Sequence, residues 1–142
     1  QNQPTPHRRL SLFHTLSLYC NLLWKDTYET YTERVVPSNV ERLFSGCDVV
    51  VEAFDKPDQK AMLLENLLTR LPEKPVVSGS GMAGYGSANL IKTEKRFGHV
   101  YLCGDGTSDV ANGLGLMAPR VAVCSAHEGT MVLRLLIGET EP

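Results

Sequence analysis

The chain has 142 residues, one domain's worth, and that is enough to bury a core of its own. Its net charge of −2 gives nucleic acid no electrostatic footing, and its longest apolar runs fall well short of the ~20 residues a membrane span needs. A hydrophobic share of 42% and a charged share of 21% are those of an ordinary soluble globular protein.

In chain order, Gln1 to Arg9 is polar, carries Pro4 and Pro6, and reads as disordered. Leu10 to Trp24 is leucine-rich and reads as a helix of poor periodicity. The alternating "ETYTERVV" predicts a short strand. "PSNVERLFSGC" predicts a short helix, with Pro37 in its first turn and Ser38 or Asn39 as cap. "CDVVVEAF" is a compact apolar run, the pattern of a buried parallel strand. "KPDQKAMLLENLLTRL" predicts a helix with Leu63, Leu64, Leu67, Leu68 and Leu71 on one face. "KPVVSGSG" predicts a second buried strand. Strand, helix and strand in about 30 residues make a βαβ unit, and with it a mostly parallel α/β sheet. "SANLIKT" and "HVYLC" fit a hairpin around "EKRFG", and a long helix closes the chain from Ala118 to Ile137, ended by Gly138.

Two stretches carry candidate chemistry. In "PVVSGSGMAGYG", Gly79, Gly81 and Gly84 spell G-x-G-x-x-G after a strand, and Asp105 follows about 20 residues later, as a ribose-binding acid would. That reading, an NAD-binding oxidoreductase, needs a helix to start inside the loop. If residues 86–98 form a hairpin instead, the glycines only allow a sharp turn and a close approach of backbone. In "CDVVVEAFDKPDQK", Asp55 stands at the carboxyl end of a buried strand, the edge where open α/β sheets bind ligands. There it fits an Mg²⁺ anchor, and Asp55 or Asp58 fits a helix cap equally well. Glu52, inside the strand, needs a partner. Lys60, one turn into the helix, is placed to reach a phosphate near Asp55, or is merely solvated.

Cys20, Cys47, Cys103 and Cys124 lie far apart with no C-x-x-C, which argues against zinc and for reduced thiols in a cytoplasmic protein. Cys103, before "GDGTSDVANG", is a candidate reactive thiol, although a buried one fits its apolar run better. His99 and His127 receive no role.

"VVVEAFD", "SGSGMAGYG" and "GLMAPRVAV", in that order within Glu29 to Gly138, resemble the ThiF-type sulfur-carrier-protein adenylyltransferases of thiamine biosynthesis. These belong to the ubiquitin-activating-like superfamily together with the molybdopterin-synthase adenylyltransferases. The resemblance implies a Rossmann-like α/β domain over residues 28–139, with 1–27 unmatched. It implies ATP and Mg²⁺ as cofactors and adenylation of the C-terminal glycine of a small ubiquitin-like sulfur carrier. It also implies a homodimer. Asp55 takes the place of the metal-binding aspartate, Lys60 that of a nucleotide-side basic residue. Gly81, Met82, Gly84 and Tyr85 would line the channel for the carrier's tail. The family's phosphate-binding glycine loop, ribose acid, and phosphate-contacting arginine and lysine should precede this region and have no match here. The resemblance therefore implies a truncated or frame-shifted start, lacking the first strands, and little or no catalysis by this chain alone. A third reading is a non-catalytic domain that grips a ubiquitin-like tail through Met82 to Asn89.

Overall fold

The structure is a computed structural model that describes residues 30–142. The expectations for Gln1 to Arg9 and for Leu10 to Trp24 lie outside the described residues.

The strand expected over "ETYTERVV" is not there: Thr30 to Val36 is irregular. The reason is Asn39. Its side-chain amide donates to the Arg34 carbonyl (3.0 Å) and to Glu33 Oε1 (2.9 Å), and its Oδ1 accepts the Val36 N–H (2.9 Å). One side chain thus takes the backbone groups that a neighbouring strand would have used. Asn39 is spent on this turn, so it precedes helix α1 (Val40–Phe44) without capping it through its side chain.

The apolar run that follows delivers strand β1 (Val50–Glu52), helix α2 (Pro57–Arg70) and strand β2 (Val76–Gly79). β1 and β2 are parallel, with Val50 opposite Val76 and Glu52 opposite Ser78. Pro57 sits in the first turn of α2, where a missing N–H costs nothing. A single 3₁₀ turn, Ala88–Leu90, then leads into strand β3 (Lys92–Lys95), which returns as strand β4 (Val100–Gly104) in an antiparallel hairpin. β4 pairs in parallel with β2, so the sheet order is β1-β2-β4-β3. Helix α3 (Ala118–Leu136) closes the fold. Gly138, at φ 93°, ends it, with the Glu139 N–H returning to the Arg134 carbonyl at 2.9 Å.

Helices cover both faces. On one side Leu63 and Leu67 of α2 pack with Val40 and Phe44 of α1 over Val50, Val76 and Val100. On the other, Cys124 and Met131 of α3 pack over Val77, Tyr101 and Cys103. β2, walled in on both faces and both edges, is buried at every residue. Tyr101 is fully buried, and its hydroxyl donates to the Thr140 carbonyl at 2.8 Å, which ties the chain end to the sheet. The fold is a mixed α/β, Rossmann-like one with a mostly parallel sheet. No helix among the described residues is long and apolar enough to cross a membrane.

Candidate functional site

The carboxyl ends of β1, β2 and β4 lie side by side, and each continues into a loop that carries candidate residues. From β1 the chain turns out at Asp55. That carboxylate is exposed and makes no hydrogen bond or ion pair among the described residues. Asp55 does not cap the helix: Lys56 occupies the cap position with no side-chain bond. Asp58, in the first turn, accepts from the Gln59 side-chain amide (3.2 Å), and this bond, with the Gln59 and Asp58 backbone N–H groups, holds its carboxyl below the usual range.

Lys60 is turned inward rather than toward Asp55. Its ammonium pairs with Glu52 Oε2, donates to Ser78 Oγ (3.2 Å) and donates to the Gly79 carbonyl (2.8 Å). This is the partner that buried Glu52 needed. A second acid sits on the opposite side. Glu128 of α3 lies over the Gly79 Cα, so close that a Cβ there would meet its carboxylate. Burial is the main force on Glu128: it lifts the carboxyl from 4.5 to about 7, opposed by the Lys60 charge and reinforced by that of Glu52. The unfolded chain ionises this group from about pH 4.5 while the folded chain resists until about 7, so ionisation costs stability as pH rises through that window. Glu128→Gln should leave stability at pH 4 unchanged. At pH 8 it should raise stability by about 1–2 kcal/mol, after allowance for partial exposure. Urea unfolding at the two pH values measures the difference, and an equal effect at both would refute the assignment.

From β2 the chain enters Gly79 to Tyr85. Gly81 (φ 82°) lies against the Asp105–Thr107 loop: a Cβ would sit 2.5 Å from the Gly106 nitrogen. Gly84 (φ 76°) rests on Leu114, and its N–H donates to the Gly115 carbonyl (2.8 Å). Met82 packs into the α3-side core, whereas Tyr85 is 87% exposed. The segment 86–98 is the 3₁₀ turn and the hairpin, not a helix. This corrects the dinucleotide reading of Gly79, Gly81 and Gly84. No α-helix starts within residues 86–98, and the three positions are closely packed, Gly79 against the Glu128 and Met82 side chains, Gly81 against the Gly106 backbone and Gly84 against the Leu114 side chain.

Asp105 is likewise not free for a ribose. Burial draws its carboxyl upward, but N–H bonds from Ser108 and Thr107 (both 2.8 Å) and their hydroxyls outweigh it and bring it to about 2. Arg120, in the first turn of α3, pairs with it and donates to the Gly86 and Ser87 carbonyls (2.8 Å each). Arg120 thus clamps the loop after β4 to the segment after β2. Sequence reasoning did not single it out; the signal was a lone charge inside the apolar run "MAPRVAVC".

Cys103, proposed as a possible thiol, is fully buried, and burial raises its pKa, the reverse of a reactive site. Cys124 donates to the Cys103 carbonyl (3.1 Å), and burial, ahead of the Glu128 charge, pushes it up to about 12. Cys47 is buried too, and all three are free of disulfides. His127 meets Thr93 Oγ1 at 3.1 Å and His99 lies near Glu73. No group of three or more metal-ligating side chains occurs among the described residues.

The mostly parallel sheet thus presents, at the edge where open α/β sheets bind ligands, a carboxylate that no described residue engages. The ThiF family profile matches residues 22–142, and the chain belongs to the ThiF family. No curated protein matches the chain significantly. Among solved structures, the chain is similar to the E. coli tRNA N6-threonylcarbamoyladenosine dehydratase TcdA, determined in complex with ATP. The TM-score is 0.60 at 17% identity, over 79% of this chain. The chain spans 58% of the length of that protein.

Proposed function

We propose that this chain serves the ATP-dependent adenylation of the C-terminal glycine of a small ubiquitin-like sulfur carrier, of the kind used in thiamine biosynthesis. The observation that carries the reading is Asp55. In a ThiF-family domain it is a carboxylate at the carboxyl edge of the parallel sheet, exposed and engaged by no described residue. ATP enters the proposal from the structural neighbour, which was determined with it.

The residues present fit Mg²⁺ in that Asp55 offers one carboxylate that no described residue engages, and such a cation keeps most of its shell as water and phosphate oxygens. Bound there, Mg²⁺ would neutralise phosphate charge while a carboxylate approaches an α-phosphate. The chain's own part is placement. Asp55 anchors the metal and the Gly81–Tyr85 segment receives the carrier's tail. Gly81 and Gly84 hold that segment close to the sheet edge, Met82 roots it in the core and Tyr85 offers an exposed ring. Lys60, tied to Glu52, acts on the site from behind rather than as a phosphate ligand.

Calorimetric titration of the purified chain with Mg-ATP, with NAD as control, tests the reading. Saturable Mg-ATP binding that Asp55→Asn weakens at least about tenfold supports it; by the tenfold rule that is about 1.4 kcal/mol. Absence of Mg-ATP binding would remove it.

A second reading has its own support, since Gly81 and Gly84 are held by close packing while Tyr85 stands exposed on the same segment, a surface for a tail that needs no nucleotide. The chain would then hold a ubiquitin-like tail without adenylating it. Carrier binding with no ATP–pyrophosphate exchange would favour that outcome.

A further inference from the structure

We propose that Glu52 is a positioning residue for Asp55, and that the Glu52–Lys60 pair fastens the Asp55 turn to the Gly79–Tyr85 segment so that the two sides of the site are held in register. The proposal deepens the adenylation reading and rests on it for its functional meaning.

Glu52 is the last residue of β1, and none of its side chain reaches solvent. Both carboxylate oxygens are used. Oε1 accepts the Phe54 N–H at 2.6 Å. Oε2 accepts the Ser78 hydroxyl at 2.5 Å and the Lys60 ammonium. The Phe54 N–H lies just beyond the last ladder position of β1, and it goes to Glu52 rather than to β2. By capturing it, Glu52 bends the chain at the strand end, and Asp55 leaves that bend. The third acceptor of Lys60 is the carbonyl of Gly79, the last residue of β2. One ammonium therefore joins two strand ends. Beyond one lies the carboxylate assigned to the metal, beyond the other the segment assigned to the tail.

A buried ion pair seldom stabilises a fold better than apolar side chains of equal size, so stability alone does not account for it. What apolar groups cannot supply is directed bonding to a backbone N–H on one loop and a backbone carbonyl on the next.

The test compares amide hydrogen exchange in the full chain and in three variants: Glu52→Gln, Lys60→Arg, and the charge-balanced pair Glu52→Gln/Lys60→Met. The single and paired Glu52 variants should exchange at least about tenfold faster at residues 54–55 and at 80–82 together. Val76, Val77 and the α2 amides of Leu63 and Leu67 should keep their wild-type rates. Lys60→Arg, which retains the charge, should stay close to wild type. Acceleration of one segment alone, no acceleration, a uniform rise that includes β2 and α2, or failure of the paired variant to fold would each overturn the proposal. In parallel, Mg-ATP affinity should fall about tenfold in the paired variant, and Asp55→Asn should then add less than it does in the wild type. If the wild type binds no Mg-ATP, the adenylation reading falls, and the exchange pattern still decides whether the joint exists.

Discussion

Replacing Arg120 by Met should destabilise the chain by about 3–5 kcal/mol, the range for breaking a buried ion pair from one side. Arg120 is 4% exposed and Asp105 8%, so the carboxylate would keep its Ser108 and Thr107 donors on Oδ1 but lose the balancing charge at Oδ2 with little water to replace it. The Gly86 and Ser87 carbonyls would each lose a 2.8 Å donor as well. The neutral pair Arg120→Met/Asp105→Asn should recover part of the loss, because it leaves no unpaired charge behind. Urea denaturation of the three proteins measures this, and a loss under about 1 kcal/mol for Arg120→Met would refute the clamp. The pH dependence follows from the same carboxylate. Its folded value, about 2, is depressed from 3.8. Its contribution is therefore complete above about pH 4 and is lost as pH falls toward 2. Asp105→Asn should remove that portion of the acid sensitivity.

Gly104→Ala should cost about 3 kcal/mol or more. Gly104 ends β4 at φ 145°, and a Cβ would be driven into the Ser80 carbonyl oxygen. Backbone strain accounts for about 1–3 kcal/mol and forced displacement for a similar amount. The neighbour cannot give way easily. Ser80 donates to the Cys103 carbonyl at 2.8 Å and accepts the Gly106 N–H at 3.2 Å, so it is held from both sides. Gly113→Ala is the control: its φ is 77°, but nothing lies within 4 Å of the added carbon. It should cost only the strain, about 1–2 kcal/mol. Equal losses at the two positions, read by thermal unfolding, would show that close approach is not the cause.

The frame was legible in the sequence because its signals are local. "VVVEAF" and "KPVVSG" are short apolar runs flanking a leucine-faced helix, and they fold as the βαβ unit they suggest. The expected hairpin forms but is shifted along the chain: Ala88–Leu90 is a 3₁₀ turn, and β3 takes Glu94 and Lys95 from the expected turn "EKRFG". "ETYTERVV" misled because alternation names a strand only when a partner strand claims its backbone, and here Asn39 does so first. The site was legible in part. Glu52 visibly needed a partner, but not which one: Lys60 comes from the next helix and Ser78 from the next strand. Asp105 stood at the distance of a ribose acid from Gly84, and only the fold shows that Ser108, Thr107 and Arg120 already hold it. Glu128 gave no sign in the sequence, since its displaced pKa depends on burial against Gly79.

The tie between Tyr101 and Thr140 bears on how the chain end should be handled. The phenol is sealed in the middle of the sheet, yet its one acceptor lies on the terminal stretch, which is further pinned where Arg134 donates to the Glu141 carbonyl at 3.0 Å. Trimming the protein back to Gly138 would remove no core side chain and would still leave a hydroxyl stranded among hydrocarbons. Residues 139–142 therefore behave as a latch whose keeper is internal. Their release, followed by amide hydrogen exchange at Glu139 to Glu141, would report on packing around β4 that lies far from the surface.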